Sequence, residues 1–519
     1  MRPSPVASQQ DSILAPSVES SVDVNGVVRR ATQYGGISGA CRAGRTYRSV
    51  ALANVEQQPV TIGPEIDGTP SLFSVGFDLA SVGYAVHEHL VTGAATSYSA
   101  EEPFEPDGRW QVEESGSADF ATRLVVYCPD DPARGNGTVI AEWLNVTGGL
   151  DIPALWMMTH RHLIRDGYTW VGVSVQRVGI EGGGMMPGLG LRHAAPERYG
   201  TLEHPGDGFA FDIFTQVARA VREMLSERYG IRVQRVIATG ASQSAFHLTT
   251  YVNALDVHAA AVDGFLLQGR AGAGAPIEGW TFDRFDSADN EARRRLLAGR
   301  DQIRSDARVP VMVVQSETDV FGRLGYLPAR QRDREQFRLW EVAGAAHCDT
   351  YFLCASALDT GSLPVAELAA LIARAESSGI PTEVPINSGP QMHFVLQCAF
   401  DALDRWVRDG GAPPSAARLD ADNGGRLVRD ELGIARGGVR TPWVDAPNVV
   451  LSGLGQPGDM TELFGTTRPL EDDARSARYP RGRNEYLERF RAATSAAVAA
   501  GFLLPADREE IEALGAASW

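Results

Sequence analysis

From residue 138 the chain alternates short, mostly apolar runs with amphipathic stretches, and this restricts the fold more than any other feature. The runs are Thr138–Leu144, Tyr168–Val175, Arg235–Thr239, Val262–Leu267, Val309–Val314 and Phe337–Val342. Short segments dominated by apolar side chains on both faces suit strands covered on both sides, as in a parallel sheet whose crossovers are helices. One crossover is legible at about 210–228, where Ile213, Val217, Val221 and Met224 keep one face at helical spacing. A second covers about 243–255. Upstream, residues 50–127 alternate apolar and polar positions between Gly, Pro and Asp, a texture of antiparallel strands. The predicted class is therefore α/β: a mostly parallel central sheet with helices on both faces, antiparallel strands at its N-terminal side and a helical extension.

The expected organisation runs in five parts. Residues 1–35 form a mobile arm. Residues 36–349 form the sheet core with its antiparallel strands. Residues 350–385 are a helical insertion able to serve as a lid, 386–410 a core helix, and 411–519 an extension packed on the core.

With 44% hydrophobic and 22% charged residues the chain reads as an ordinary globular protein. Its net charge of -17 repels phosphate backbones and anionic lipid, so neither nucleic acid nor a membrane surface is an expected partner. All 48 basic residues are Arg, which excludes lysine Schiff bases and Walker-type phosphate loops. No apolar run approaches the ~18 residues of a membrane helix, and Met1 to Arg30 lacks the basic and apolar regions of a secretory signal. Together with an odd set of five cysteines, this points to reduced thiols and a cytoplasmic setting, with a Cys354–Cys398 bridge as the alternative.

The chemistry centres on strand, Gly240-Ala-Ser242-Gln-Ser244, helix. A nucleophile elbow needs this order: the serine occupies a strained turn, and small flanking residues keep that turn clear of its neighbours. Ser244 stands where glycine is usual, a mild departure. The bland alternative is a serine capping a helix. The partners tip the balance, because a carboxylate and a histidine then follow the next strands in the order such enzymes use. Asp319 is the preferred acid and Glu317 the alternative. His347 is the base, expected within hydrogen-bonding reach of the Ser242 hydroxyl. An oxyanion hole requires backbone N–H donors already aimed at the developing charge. One is expected from Gln243, the other from the loop after Leu144, with Asn145 and Val146 as first candidates and Gly148-Gly149 beside them. Trp156, Met157, Met158, Met185 and Met186 flank loops at that sheet edge and suggest an apolar substrate pocket, or plain core.

Metal and cofactor are not expected. The His87/His89 and His160/His162 pairs have no third ligand at motif spacing. Asp420-Ala-Asp-Asn-Gly-Gly425 with Glu431 matches a calcium loop only in part and reads as a turn.

These residues resemble the α/β-hydrolase superfamily, and within it the branch designated alpha/beta hydrolase domain proteins. The likeness rests on Glu142-Trp-Leu-Asn-Val-Thr-Gly-Gly149, Glu197-Arg-Tyr-Gly200 with His204-Pro-Gly-Asp207, and Phe211-Asp-Ile-Phe-Thr-Gln216. It continues in Gly240-Ala-Ser-Gln-Ser-Ala245, Ser316-Glu-Thr-Asp319, Gly344-Ala-Ala-His347 and Gly437-Gly-Val-Arg-Thr-Pro-Trp-Val-Asp445, over roughly residues 75–515. It implies an α/β-hydrolase fold and a serine hydrolase with Ser242, the 317/319 acid and His347, but names no substrate. The expected activity is hydrolysis of a carboxylic ester or lactone of a small to medium, apolar compound. The alternatives are acyl transfer on the same triad, or a non-catalytic binding protein on this scaffold.

Overall fold

Side-chain alternation along the apolar strands divides the interior into two layers. In a computed structural model, which describes residues 60–184, 188–280, 294, 296, 298–374, 382–458 and 460–519, Val139, Ala141 and Trp143 enter one apolar layer while Ile140 and Leu144 enter the other. Val236 and Ala238 oppose Ile237 in the same way, and Val311 and Val313 oppose Met312 and Val314. A strand apolar on both faces is stable only if both are covered, and each buried Val, Leu, Ile or Phe side chain contributes roughly 1.5–3 kcal/mol.

The strands are β1 (Thr61–Glu65), β2 (Tyr84–Ser99), β3 (Glu113–Pro129), β4 (Thr138–Trp143), β5 (Thr169–Val173), β6 (Arg235–Ala241), β7 (Gly264–Gln268), β8 (Val311–Ser316) and β9 (Phe337–Val342). They form one sheet in the order β1-β2-β3-β5-β4-β6-β7-β8-β9. β1 to β3 pair antiparallel and β3 joins β5 antiparallel, whereas every pairing from β5 through β9 is parallel. The chain runs from β4 outward to β5 and then returns past β4 to β6. That reversal makes the crevice beyond the carboxyl ends of β4 and β6 the natural place for a site.

Helices α1 (Ala154–Arg165), α2 (Ala210–Tyr229), α3 (Gln243–Thr250), α4 (Glu317–Phe321), α5 (Val365–Ile372), α6 (Gln391–Asp409), α7 (Arg483–Ala499) and α8 (Arg508–Ala517) supply the cover. Ile213, Phe214, Val217 and Val221 of α2 close one layer. Trp156 and Leu163 of α1, with Phe394, Val395 and Leu396 of α6, close the other. α5 sends Leu368, Leu371 and Ile372 into that second layer and packs on α8. The described part of the 350–385 segment thus contributes to the second layer.

The tail beyond residue 410 wraps the free edge of β9. Val439 N–H donates to Glu341 O at 2.6 Å and Val439 O accepts from Ala343 N at 3.1 Å, a parallel bridge that continues the sheet by one residue. Trp443 then stacks on Phe394 at 5.7 Å and meets Phe490 edge-on at 5.6 Å. The Gly437–Asp445 motif is therefore the hinge that seats the tail on the sheet. Between residues 419 and 437 the chain forms tight turns, with Asp422 accepting from Gly424 N and Arg426 N, and Asp430 from Leu432 N and Ile434 N.

The described residues all belong to one compact unit. The expected mobile arm, residues 1–35, lies outside the described residues. Among the described residues no helix is long and apolar enough to cross a membrane. Cys354 and Cys398 are free thiols, so the alternative bridge does not form.

Candidate active site

Ser242 stands between β6 and α3 with φ 56° and ψ -122°. Among the described residues only it and Ala260 hold a positive φ without being glycine. Such a backbone costs on the order of 1–3 kcal/mol and persists only where its surroundings impose it. Here Ser242 N–H donates to Gln268 O of β7 at 2.8 Å, and Ser242 O accepts the first helical bond from Phe246 N at 3.2 Å. The glycine at 240 is obligatory, since a Cβ there would lie 2.8 Å from Ser244 Cβ and 3.1 Å from Leu248 Cδ1. The same close approach means that the Ser244 Cβ fits there only because residue 240 carries none. Ser242 is partly exposed, whereas its flanking residues are buried.

The imidazole arrives from the loop after β9. His347 Nδ1 and Asp319 Oδ1 are 2.6 Å apart, with Asp319 fully buried. Asp319 is fixed as the third residue of α4: its Oδ2 accepts from Ser316 N at 2.6 Å while its own N–H donates to Ser316 Oγ at 3.2 Å, a reciprocal capping box. His347 N–H donates to Thr318 Oγ1 at 3.1 Å, which pins the histidine loop to the acid loop. A Cβ on Gly269 would lie 2.7 Å from His347 Cε1. The ring therefore rests on the backbone directly after Gln268, the residue whose carbonyl holds Ser242.

Serine and imidazole thus flank the same two residues at the carboxyl edge of the sheet. The expected hydrogen bond between Ser242 Oγ and His347 is nevertheless not made; among the described residues neither Ser242 Oγ nor His347 Nε2 has a partner. Contacts of this kind are often long before substrate binds.

Glu317, the alternative acid, is committed elsewhere. Its carboxylate accepts from Gly344 N at 2.6 Å, Gly453 N at 2.9 Å and Ser452 Oγ at 3.1 Å, and lies 3.8 Å from Arg429. Burial pushes its carboxyl above the usual range. It staples the acid loop, the histidine loop and the tail together, a role invisible in sequence because Gly453 is distant in the chain. His247, one helical turn beyond the serine, is buried against Trp143 with ring centroids 5.1 Å apart, and burial lowers it to about 4. It is neutral at ordinary pH and occupied by Gln243 O at 3.0 Å.

β4 and β6 run in parallel register with Glu142 opposite Thr239, which brings Asn145 level with Ser242. The N–H of Asn145 is not available as an oxyanion donor, because it bonds Ile152 O at 3.0 Å across the neck of the 145–152 loop. That corrects one expectation. The N–H groups of Val146 and Gln243 have no acceptor among the described residues. Gln243 opens α3, where the first N–H groups lack intrahelical partners and the helix end favours negative charge.

The pocket residues expected from sequence separate. Trp156 is buried in the core, its ring 4.9 Å from Tyr127 and 5.5 Å from Trp170. The cause is Glu142, whose carboxylate accepts from Leu155 N at 2.8 Å and Trp156 N at 3.0 Å and so fixes the start and rotation of α1. Met157 and Met158 are likewise buried on α1. Met185 and Met186 lie outside the described residues.

The paired histidines serve other partners: His87 and His89 face Glu65 and Tyr229, and His160 bonds two backbone carbonyls. Among the described residues no group of three or more His, Cys, Asp or Glu is placed to hold a metal.

A family model described as alpha/beta hydrolase domain matches residues 56–513. No curated protein sequence matches the chain. Solved structures that align with it include a thermostable esterase from Pseudomonas putida, at 17% identity and a TM-score of 0.26, covering 47% of this chain and 66% of that one. A cold-adapted esterase from an Arctic intertidal metagenomic library aligns at 14% identity and a TM-score of 0.27, covering 49% and 84%. The glucuronoyl esterase from Solibacter usitatus aligns at 12% and 0.25, covering 49% and 76%. The present chain spans just under two thirds of the first of these.

Proposed function

We propose that this chain, which belongs to the alpha/beta hydrolase domain family, is a serine hydrolase that cleaves a carboxylic ester or lactone. The observation that carries the proposal is a serine forced into a positive-φ turn beside an imidazole already paired with a buried aspartate.

In this reading Ser242 is the nucleophile, His347 the general base and Asp319 the group that orients it. Asp319 occupies Nδ1, so the imidazole accepts and returns protons at Nε2. Ser242 Oγ attacks the carbonyl carbon and gives its proton to Nε2. The carbonyl oxygen becomes an oxyanion held by the N–H groups of Gln243 and Val146. Collapse expels the alcohol, which takes the proton from Nε2. Water then attacks the acyl-enzyme with Nε2 again as base, and the acid leaves as the Ser242 hydroxyl is restored.

The burial of Trp156, Met157 and Met158 in the core takes three of the five residues out of the sequence argument for an apolar pocket. A p-nitrophenyl ester series of graded acyl length, assayed on wild type and Ser242→Ala with and without an added alcohol, tests the reading. Hydrolysis by wild type that falls at least about 10³-fold in the variant is expected. Equal rates for the two proteins would overturn the assignment, and alcoholysis dominating over hydrolysis would convert it to acyl transfer.

A further inference from the structure

Asn145 is nearly buried, at 7% exposure, and each of its four polar groups is used. Its backbone exchanges two hydrogen bonds with Ile152, N to O at 3.0 Å and O to N at 2.8 Å, closing the loop at its neck. Its side chain does two further things. Oδ1 accepts from Thr147 N at 2.9 Å, and Nδ2 donates to Ala241 O at 3.0 Å. The first bond is an Asx turn whose interior is the peptide unit of Val146. The second ends on the carbonyl of the peptide bond that leads into Ser242.

One amide therefore joins the loop that carries the Val146 N–H to the strand end that carries Ser242 and Gln243. An oxyanion hole works only if both donors stand about 2.7–3.1 Å from the place the oxygen will take. The two donors belong to different strand ends, and the ladder between β4 and β6 stops at Glu142 and Thr239. Beyond that pair, the Asn145 side chain is what spans the gap. Loop closure has its own anchor, because Asp151 is gripped by Arg123 at 2.9 Å and accepts from Ser174 Oγ at 2.5 Å. The neck and the far side of the loop thus hold without the Asn145 amide.

We propose that the Asn145 side chain is a positioning residue that sets the separation of the Val146 and Gln243 N–H donors, and so tunes stabilisation of the oxyanion rather than substrate binding. The inference rests on the serine-hydrolase reading above.

Two substitutions separate the two bonds. Asn145→Ser keeps a short acceptor for Thr147 N–H and removes the donor to Ala241 O. Asn145→Asp keeps the acceptor and sets a carboxylate oxygen against that carbonyl, which adds repulsion. Steady-state kinetics on p-nitrophenyl butyrate, binding of phenylboronic acid as a tetrahedral adduct, and thermal unfolding are measured on both variants and on wild type. The expected result is a fall in kcat of about 10- to 100-fold with KM within about twofold, smaller for Ser than for Asp, and a matching loss of boronate affinity. Either variant alone decides the matter if the other fails to fold. Unchanged kcat, or a fall in kcat with boronate affinity intact, would overturn the brace. If wild type itself neither hydrolyses the ester nor binds the boronate, the serine-hydrolase reading falls, and the brace falls with it.

Discussion

Two acids two residues apart have opposite duties, and neighbouring atoms decide which is which. Asp319 presents one oxygen to His347 and has the other occupied by Ser316 N. Glu317 points away and satisfies Gly344 N and Gly453 N. Replacing Asp319 by Asn should keep the fold and lower kcat by about 10³–10⁴-fold, because the amide no longer fixes the tautomer that leaves Nε2 free. Replacing Glu317 by Gln should do the reverse. One buried N–H loses its acceptor, so stability falls by roughly 1–3 kcal/mol, with a smaller effect on kcat. Denaturant titration and steady-state kinetics on the two variants check the contrast. Sequence alone could rank the two acids but not assign them, because both follow β8 at plausible distance and Glu317 is claimed by Gly344 in the histidine loop and by Gly453 in the tail, more than a hundred residues on. The same holds for Asn145. Its place beside the elbow was legible from the strand-end motif, but the capture of its N–H by Ile152 depends on how the loop closes.

At the scale of elements, the strand and helix pattern was largely readable because its cause is local. Apolar runs with no polar face admit few alternatives, and β4 through β9 lie where the runs place them. The long helix α2 follows from its periodicity for the same reason. The α1 side chains were harder. A loop feeding a helix leaves its rotation undetermined, and here the Glu142 carboxylate sets it by capping Leu155 N and Trp156 N, which turns Trp156 into the core. Nor does sequence show that residues 437–445 continue the sheet, since a single bridge residue carries no period. That bridge is testable. Val439→Pro removes the N–H that donates to Glu341 O at 2.6 Å. The expected cost is on the order of 1–3 kcal/mol in urea unfolding. A change no larger than that of Val439→Ala would mean the tail is held by its aromatic contacts alone.

For the whole molecule, the sheet order and the site are one fact. The reversal between β4 and β6 brings the turn at Ser242 and the 145–152 loop side by side, and β8 and β9 carry Asp319 and His347 to the same edge. The tail then locks the loops from behind through Glu317, Thr318 and Gly453. All of this is arranged around one hydroxyl. The direct test is reaction with a fluorophosphonate probe, read by intact mass and peptide mapping. The account predicts a single adduct on Ser242 in wild type, absent in Ser242→Ala and much slower in His347→Ala. An adduct on another residue, or labelling of Ser242→Ala at the wild-type rate, would contradict it.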